Sequence, residues 1–284
     1  MGSMTGKRVL VTGATAGIGL ETARAIAKEG AELIIVGRNP EKTKAVLEEL
    51  KATSGNSNIS FLLADLSSMA AVRKLAADFL AKYDRLDVLV NNAGLVNPKH
   101  EKTADGFEVT FATNHLSYFL LTNLLVPALE KAAPSRVVCV ASDAHRGAKL
   151  DFGDLMTEPY AGFKAYSRSK LANILFGREL ARRLANKRIT VNTLHPGVVA
   201  SNFLAGKPGF WGAVGKVTSV FLISNQDGAK TSVYLATSKD VEGVTGKYFA
   251  KCNEKAPSKA AQDDVAAKQL WEVSEKLTGF TGQV

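Results

Sequence analysis

Val9-Leu10-Val11-Thr12-Gly13-Ala14-Thr15-Ala16-Gly17-Ile18-Gly19 runs from an apolar stretch of strand length, through a glycine loop, into the start of a helix. Gly13 permits the tight turn, Gly17 lets backbone approach a diphosphate, and Gly19 lets helix and strand pack closely. Thr15 and Ile18 belong to the same cradle, where a helix N-terminus offers unpaired N–H groups and partial positive charge to an anion. Glycines in a loop suit any tight turn, but this spacing after a first strand points to a dinucleotide. The pattern is Gly-x-x-x-Gly-x-Gly, and no Lys-Ser/Thr pair follows it, which excludes a triphosphatase loop.

Outward from this unit, strand-length apolar runs alternate with helix-length periodic segments. Strands are expected at Arg8–Thr12, Leu33–Val36, Ile59–Ala64, Asp87–Asn91, Arg136–Ser142, Ile189–Leu194 and Gly246–Ala250. Helices are expected near Gly17–Glu29, Pro40–Thr53, Met69–Lys82, Phe111–Leu129, Phe163–Leu184 and Asp227–Thr237. Repeated βα units with short joints predict an α/β fold, a Rossmann-type doubly wound parallel sheet of about seven strands with helices on both faces. Residues 1–4 lack a long apolar stretch and read as a cloning scar before a native Met4, and 5–284 as a single domain.

Composition narrows the function classes. The 284 residues are 46% hydrophobic and 22% charged, ordinary globular values. No run of about 18 apolar residues is present, so no transmembrane helix is expected. Cys139 and Cys252 are too few for a disulfide framework, which favours a reducing, cytoplasmic setting. Cys139, inside an apolar strand, reads as core. The net charge of +9 raises the question of a nucleic-acid partner. Its densest stretch, Arg178, Arg182, Arg183, Lys187 and Arg188, shares an amphipathic helix with Leu175, Leu180 and Leu184 and reads as a solvated face, with no nucleic-acid signature beside it.

Two further segments refine the site. An NAD pocket calls for an acidic residue at the end of the second strand, whereas an arginine there accepts a 2′-phosphate. Val36-Gly37-Arg38-Asn39 supplies only the arginine, so NADP is expected. Ala165-Tyr166-Ser167-Arg168-Ser169-Lys170 opens a helix and places Tyr166 and Lys170 at i and i+4 on one face. An ammonium about 4 Å from a phenol, at an effective dielectric of roughly 20, favours phenolate by about 4 kcal/mol. That is about three pKa units, enough to bring a phenol from about 10 towards 7. Val137-Val138-Cys139-Val140-Ala141-Ser142 delivers a hydroxyl to the carboxyl edge of the sheet, where it can donate to a substrate carbonyl. Asp87-Val88-Leu89-Val90-Asn91-Asn92-Ala93-Gly94 ends another strand beside the expected cleft.

Taken together, Thr12-Gly13-x-x-x-Gly17-x-Gly19, Asn91-Asn92-Ala93-Gly94, Ser142, Tyr166-x-x-x-Lys170 and Pro196-Gly197 resemble the short-chain dehydrogenase/reductase family along nearly the whole chain. The resemblance implies that Tyr166 is the general acid in reduction and the base in oxidation, and that Ser142 polarises the carbonyl. It implies that Lys170 lowers the tyrosine pKa and binds the nicotinamide ribose, and that Asn114 holds a water linking Lys170 to solvent. Asp65 and Leu66 then lie beside the adenine, and Asn91, Ala93, Gly94, Pro196, Gly197 and Val199 line the cofactor. Val36-Gly37-Arg38-Asn39, Asn114-His115-Leu116 and His195-Pro196-Gly197-Val198-Val199 are most similar to the retinol-dehydrogenase-like branch, and so is the long gap between Ser142 and Tyr166. Ser117-Tyr118 departs from the Gly-His often found in that branch.

The expectation is an NADP(H)-dependent carbonyl reductase taking a small apolar ketone or aldehyde, with no metal and no nucleic acid. A redox-sensing regulator that binds NADP without turnover is the alternative, although such a protein could dispense with the tyrosine–lysine pair. An epimerase or dehydratase of the extended branch fits less well, since no added substrate domain is visible. His195, before a proline at a strand end, reads as structural, and Asp143, His145 and Arg146 read equally as substrate contacts or solvated loop. The stretch 197–226 carries Phe203, Leu204, Phe210, Trp211, Val214 and Phe221 among glycines and is expected to form a mobile apolar lid over the substrate. A permanently packed helix, a homodimer interface and shallow lipid contact through Lys207 and Lys216 are its alternatives.

Overall fold

A computed structural model describes residues 2–198 and 223–282. Eight strands form one sheet in the order β3-β2-β1-β4-β5-β6-β7-β8. They are β1 (Arg8–Thr12), β2 (Glu32–Gly37), β3 (Ile59–Leu63), β4 (Val88–Asn91), β5 (Ser135–Val140), β6 (Ile189–His195), β7 (Tyr248–Ala250) and β8 (Asn253–Glu254). The first seven pair in parallel, and β8 adds a two-residue antiparallel edge. The α/β class and the seven-strand parallel sheet expected from the sequence are therefore present.

Alternate residues of each central strand feed opposite faces. Leu10, Ile34, Leu89 and Val137 join one core with α3 (Met69–Lys82), α5 (Ser117–Lys131) and α6 (Gly162–Arg183). Val9, Val11, Leu33 and Val88 join the other with α1 (Gly17–Lys28), α2 (Pro40–Ser54) and α7 (Asn225–Thr237). Each fully buried aliphatic side chain contributes roughly 1.5–3 kcal/mol, which is why these strands carry no polar face. Met4 is also buried in the second core.

Three local features were not foreseen. A C-terminal helix, α8 (Asp264–Thr278), packs on α6, with the Trp271 ring 4.9 Å from that of Phe119 and Arg183 4.2 Å over it. Asp263 caps it through Val265 N and Ala266 N, and Gly279 ends it at φ 62. Secondly, the helix expected to run unbroken from Phe111 begins as a short α4 (Val109–Phe111) and widens into a π-helical turn over Ala112–Leu116. Ser117 N–H there reaches Ala112 O, and the bypassed Thr113 carbonyl accepts from Ser117 Oγ at 2.6 Å. Thirdly, β7 and β8 are joined by Lys251 and Cys252, both left-handed at φ 51 and 60.

Most of the basic stretch on and just after α6 is paired with carboxylates of the same chain. Arg182 and Arg183 bond the buried Glu179 at 2.6 and 2.8 Å, Arg178 pairs with Asp264 and Lys187 with Glu130. No helix among the described residues is long and apolar enough to cross a membrane.

Candidate active site

The strand order reverses between β1 and β4, so the loops leaving them diverge and open a cleft at their carboxyl ends. Its volume is about 690 Å³. Thr12 and Asn92 hold the cleft open at its base. Thr12 Oγ1 accepts from Asn92 N at 2.9 Å and Ala93 N at 3.1 Å, while Asn92 Nδ2 donates to Thr12 O at 2.9 Å. A Cβ on Gly13 would stand 2.8 Å from Ala93 Cα, and one on Gly19 would stand 2.3 Å from Asn92 Nδ2. Both positions exclude any larger residue.

Side chains cap α2, α3, α7 and α8 through Asn39, Ser68, Ser224 and Asp263. The N-cap of α1 is Ala16, which makes no side-chain cap bond. The first N–H groups of α1 are thus left for a ligand in the cleft, and Thr15, Ile18 and Gly19 line the approach. This uncapped cradle fits the diphosphate of a dinucleotide.

At the far end of the cleft, Arg38 follows β2 with its side chain 75% exposed and its Nη1 3.7 Å from Asp65 Oδ2. Asp65 itself accepts from Ser67 N and Oγ at 3.0 and 2.7 Å. So wet an ion pair contributes little to stability, and Arg38 can turn to another anion. Ala64, Asp65 and Leu66 form the wall beside it.

Ser142, Tyr166 and Lys170 converge at the opposite end. Ser142 caps a one-turn helix over Asp143–His145, its Oγ accepting from Ala144 N at 3.1 Å, and it is hydrogen-bonded to Tyr166. Lys170 Nζ donates to Val140 O at 3.0 Å and stands 5.6 Å from the Tyr166 ring centroid. Burial lowers the Lys170 pKa to about 8.

The tyrosine corrects the sequence expectation. Its pKa is raised, because burial outweighs the hydrogen bond from Ser142. Tyr-x-x-x-Lys spacing puts both residues on one face, and the ammonium there donates to Val140 O. The phenol in this arrangement stays protonated at neutral pH.

Asn114, in the π-helical turn, has its side chain fully engaged. Its Oδ1 accepts from Leu95 N at 2.8 Å, and its Nδ2 donates to Leu95 O and Ser169 Oγ, each at 2.9 Å. Asn91, expected beside the cofactor, has its side chain buried against α5, where it donates to Thr122 Oγ1 at 2.8 Å, and the neighbouring Asn92 lines the cleft. Ala93, Gly94, Pro196 and Gly197 do line the cleft. Val199 and most of the expected lid, residues 199–222 with Trp211, lie outside the described residues.

Leu95, Val109, Phe163 and Val198 give the mouth of the cleft an apolar lining that the motifs did not announce. His195 also borders it. Its Nδ1 accepts from Asp143 N at 3.2 Å, and its Nε2 is 3.7 Å from Asp143 Oδ2. Among the described residues no cluster of His, Cys, Asp and Glu could hold a metal ion.

Comparison with known proteins bears on this geometry. Residues 7–208 match the family model described as short chain dehydrogenase. Retinol dehydrogenase 14 of Mus musculus is 42% identical over 299 residues, spanning 98% of this chain and 88% of the relative. A Mycobacterium paratuberculosis protein of known structure superposes with a TM-score of 0.79 at 31% identity, covering 98% of this chain and 96% of that one. The Pseudomonas aeruginosa RhlG/NADP active-site complex superposes with a TM-score of 0.71 at 28% identity, covering 86% and 94%. With the match spanning most of its length, this chain belongs to the short-chain dehydrogenase family, whose chemistry interconverts alcohols and carbonyls with a nicotinamide cofactor.

Proposed function

We propose that the protein is an NADPH-dependent reductase of apolar ketones and aldehydes, working as a single domain over 5–284. The observation that carries this reading is the convergence of Ser142, Tyr166 and Lys170 at the end of the cleft farthest from Arg38. NADPH, when bound, supplies the hydride. Arg38, with no carboxylate at the end of β2 to oppose a 2′-phosphate, supports NADP over NAD. The NADP-bound RhlG relative supports the same choice.

Ser142 donates its hydroxyl hydrogen to the substrate carbonyl oxygen and stabilises negative charge as it develops there. Tyr166 then gives its proton to that oxygen. A phenol with a raised pKa remains a far stronger acid than an alcohol, so it is fully loaded at neutral pH and still able to deliver. Lys170, near neutrality at about 8, can replace that proton and hold the nicotinamide ribose. Asn114 braces Leu95 against α6 and thereby holds the wall beside Gly94. Leu95, Val109, Phe163 and Val198 favour an apolar substrate over a charged one, in line with the retinol dehydrogenase relative.

The test is NADPH consumption with a panel of apolar aldehydes and ketones, matched to formation of the alcohol and compared with NADH. Turnover with NADPH and apolar carbonyls is expected. Tight NADPH binding without alcohol from any of them would instead favour a redox-sensing regulator.

A further inference from the structure

The three residues of the turn after Ser142 that carry polar side chains are all tied to the C-terminal part of the chain. Asp143 Oδ1 accepts from Tyr248 OH at 2.9 Å, and Arg146 Nη2 donates to Ala256 O at 3.1 Å. Between them, the His145 ring is fully buried and bridges two backbone groups. Its Nδ1 is 2.6 Å from Ser142 O, and Ser258 N–H donates to its Nε2 at 3.0 Å.

These two partners fix the tautomer. A backbone N–H can only donate, so Nε2 must present its lone pair, and Nδ1 must carry the hydrogen given to Ser142 O. Burial lowers the ring's pKa, which keeps it neutral. Tyr248 stacks edge-on at 5.2 Å and fixes the ring plane.

Ser142 is thereby held at both oxygens. Its carbonyl accepts from His145 N at 3.1 Å as well as from the ring, and its Oγ accepts from Ala144 N. The hydroxyl hydrogen is the group left to turn toward Tyr166 and a reacting oxygen. Neither the glycine loop nor the tyrosine–lysine pair provides this constraint.

We infer that His145 is a positioning residue for the reaction, clamping Ser142 to the backbone at Ser258 so that the serine hydroxyl is aimed at the substrate carbonyl. This rests on Ser142 being the carbonyl-polarising group. His145 does not touch the substrate, so its effect passes through Ser142 alone.

A double-mutant cycle between His145→Ala and Ser142→Ala, read in steady-state kcat and NADPH dissociation constant, tests the inference. His145→Ala is expected to lower kcat about tenfold to a hundredfold, the scale of a misaimed catalytic group. NADPH affinity should stay within about twofold, and on the Ser142→Ala background the histidine change should cost less than about twofold more. Should His145→Ala not fold, two conservative variants decide. His145→Asn keeps a donor at the Nδ1 position facing Ser142 O, whereas His145→Gln reaches toward Ser258. Asn is expected to retain several-fold more kcat than Gln, with NADPH binding showing both to be folded. Additive losses, an undiminished kcat in His145→Ala, or Gln equal to Asn would overturn the inference. An undiminished rate in Ser142→Ala would overturn it together with the assigned role of Ser142, whereas additive losses would leave that role standing.

Discussion

Lys170 Nζ donates to the Val140 carbonyl at 3.0 Å and faces the Tyr166 ring with its centroid 5.6 Å away. The last residue of β5 thus holds the cation of α6 beside the proton donor, while burial brings its pKa down to about 8. Lys170 is charged below that pH and loses its proton above it. The rate of carbonyl reduction at saturating NADPH is therefore expected to fall as pH rises through about 8. Lys170→Met, which keeps the stem and loses the charge, should remove that limb along with most of the turnover. A wild-type profile flat from pH 7 to 9.5 would contradict the assignment.

Cofactor choice rests on Arg38. Arg38→Glu replaces a charge-assisted bond with repulsion, and such bonds contribute about 1.5–3 kcal/mol. NADPH affinity should fall at least about tenfold more than NADH affinity in paired fluorescence titrations. Asp65→Asn removes the carboxylate 3.7 Å from Arg38 and should leave NADPH binding equal or slightly tighter. Equal weakening of both cofactors by Arg38→Glu would show that another group reads the 2′-phosphate.

The helix that the motifs did not reveal makes a separate stability claim. Trp271 is buried between Phe119 and Phe176, and Trp271→Ala should cost about 3–5 kcal/mol in denaturant unfolding. Asp263→Ala removes the cap of α8 and should cost about 1 kcal/mol. A Trp271→Ala loss below about 1 kcal/mol would mean that α8 is not part of the cooperative fold.

The parallel sheet was legible because its strands are buried on both faces and read as unbroken apolar runs between periodic helices. The same burial hid the difference between Asn91 and Asn92, since a strand with no polar face gives no parity from which to tell cleft from core. The π-helical turn was invisible because one widened turn barely disturbs the apolar rhythm around Asn114. Lys251-Cys252 lacks the glycine or asparagine that signals a left-handed hairpin. For α8, Asp263 and Gly279 were usable signals. The irregular stretch that precedes it broke the βα rhythm, and Ser274 and Thr278 thin its apolar stripe.

At the site, sequence spacing was enough to put Tyr166 and Lys170 on one helical face and Ser142 at the sheet edge. It could not supply the electrostatics. The phenol's environment depends on how deeply it is buried and on where Lys170 points, and both follow from β5 and α6 meeting in three dimensions. The clamp through His145 spans 113 residues to Ser258, a contact no local pattern announces.

The central claim is that Tyr166 delivers the proton in an NADPH-dependent carbonyl reduction, and it is tested most directly by comparing Tyr166→Phe with the wild type. The substitution removes one hydroxyl and keeps the ring. The expected result is NADPH affinity within about twofold of wild type and alcohol formation slowed at least about 100-fold, the scale of a lost general acid. Alcohol formation by Tyr166→Phe at near wild-type rate would contradict the mechanism.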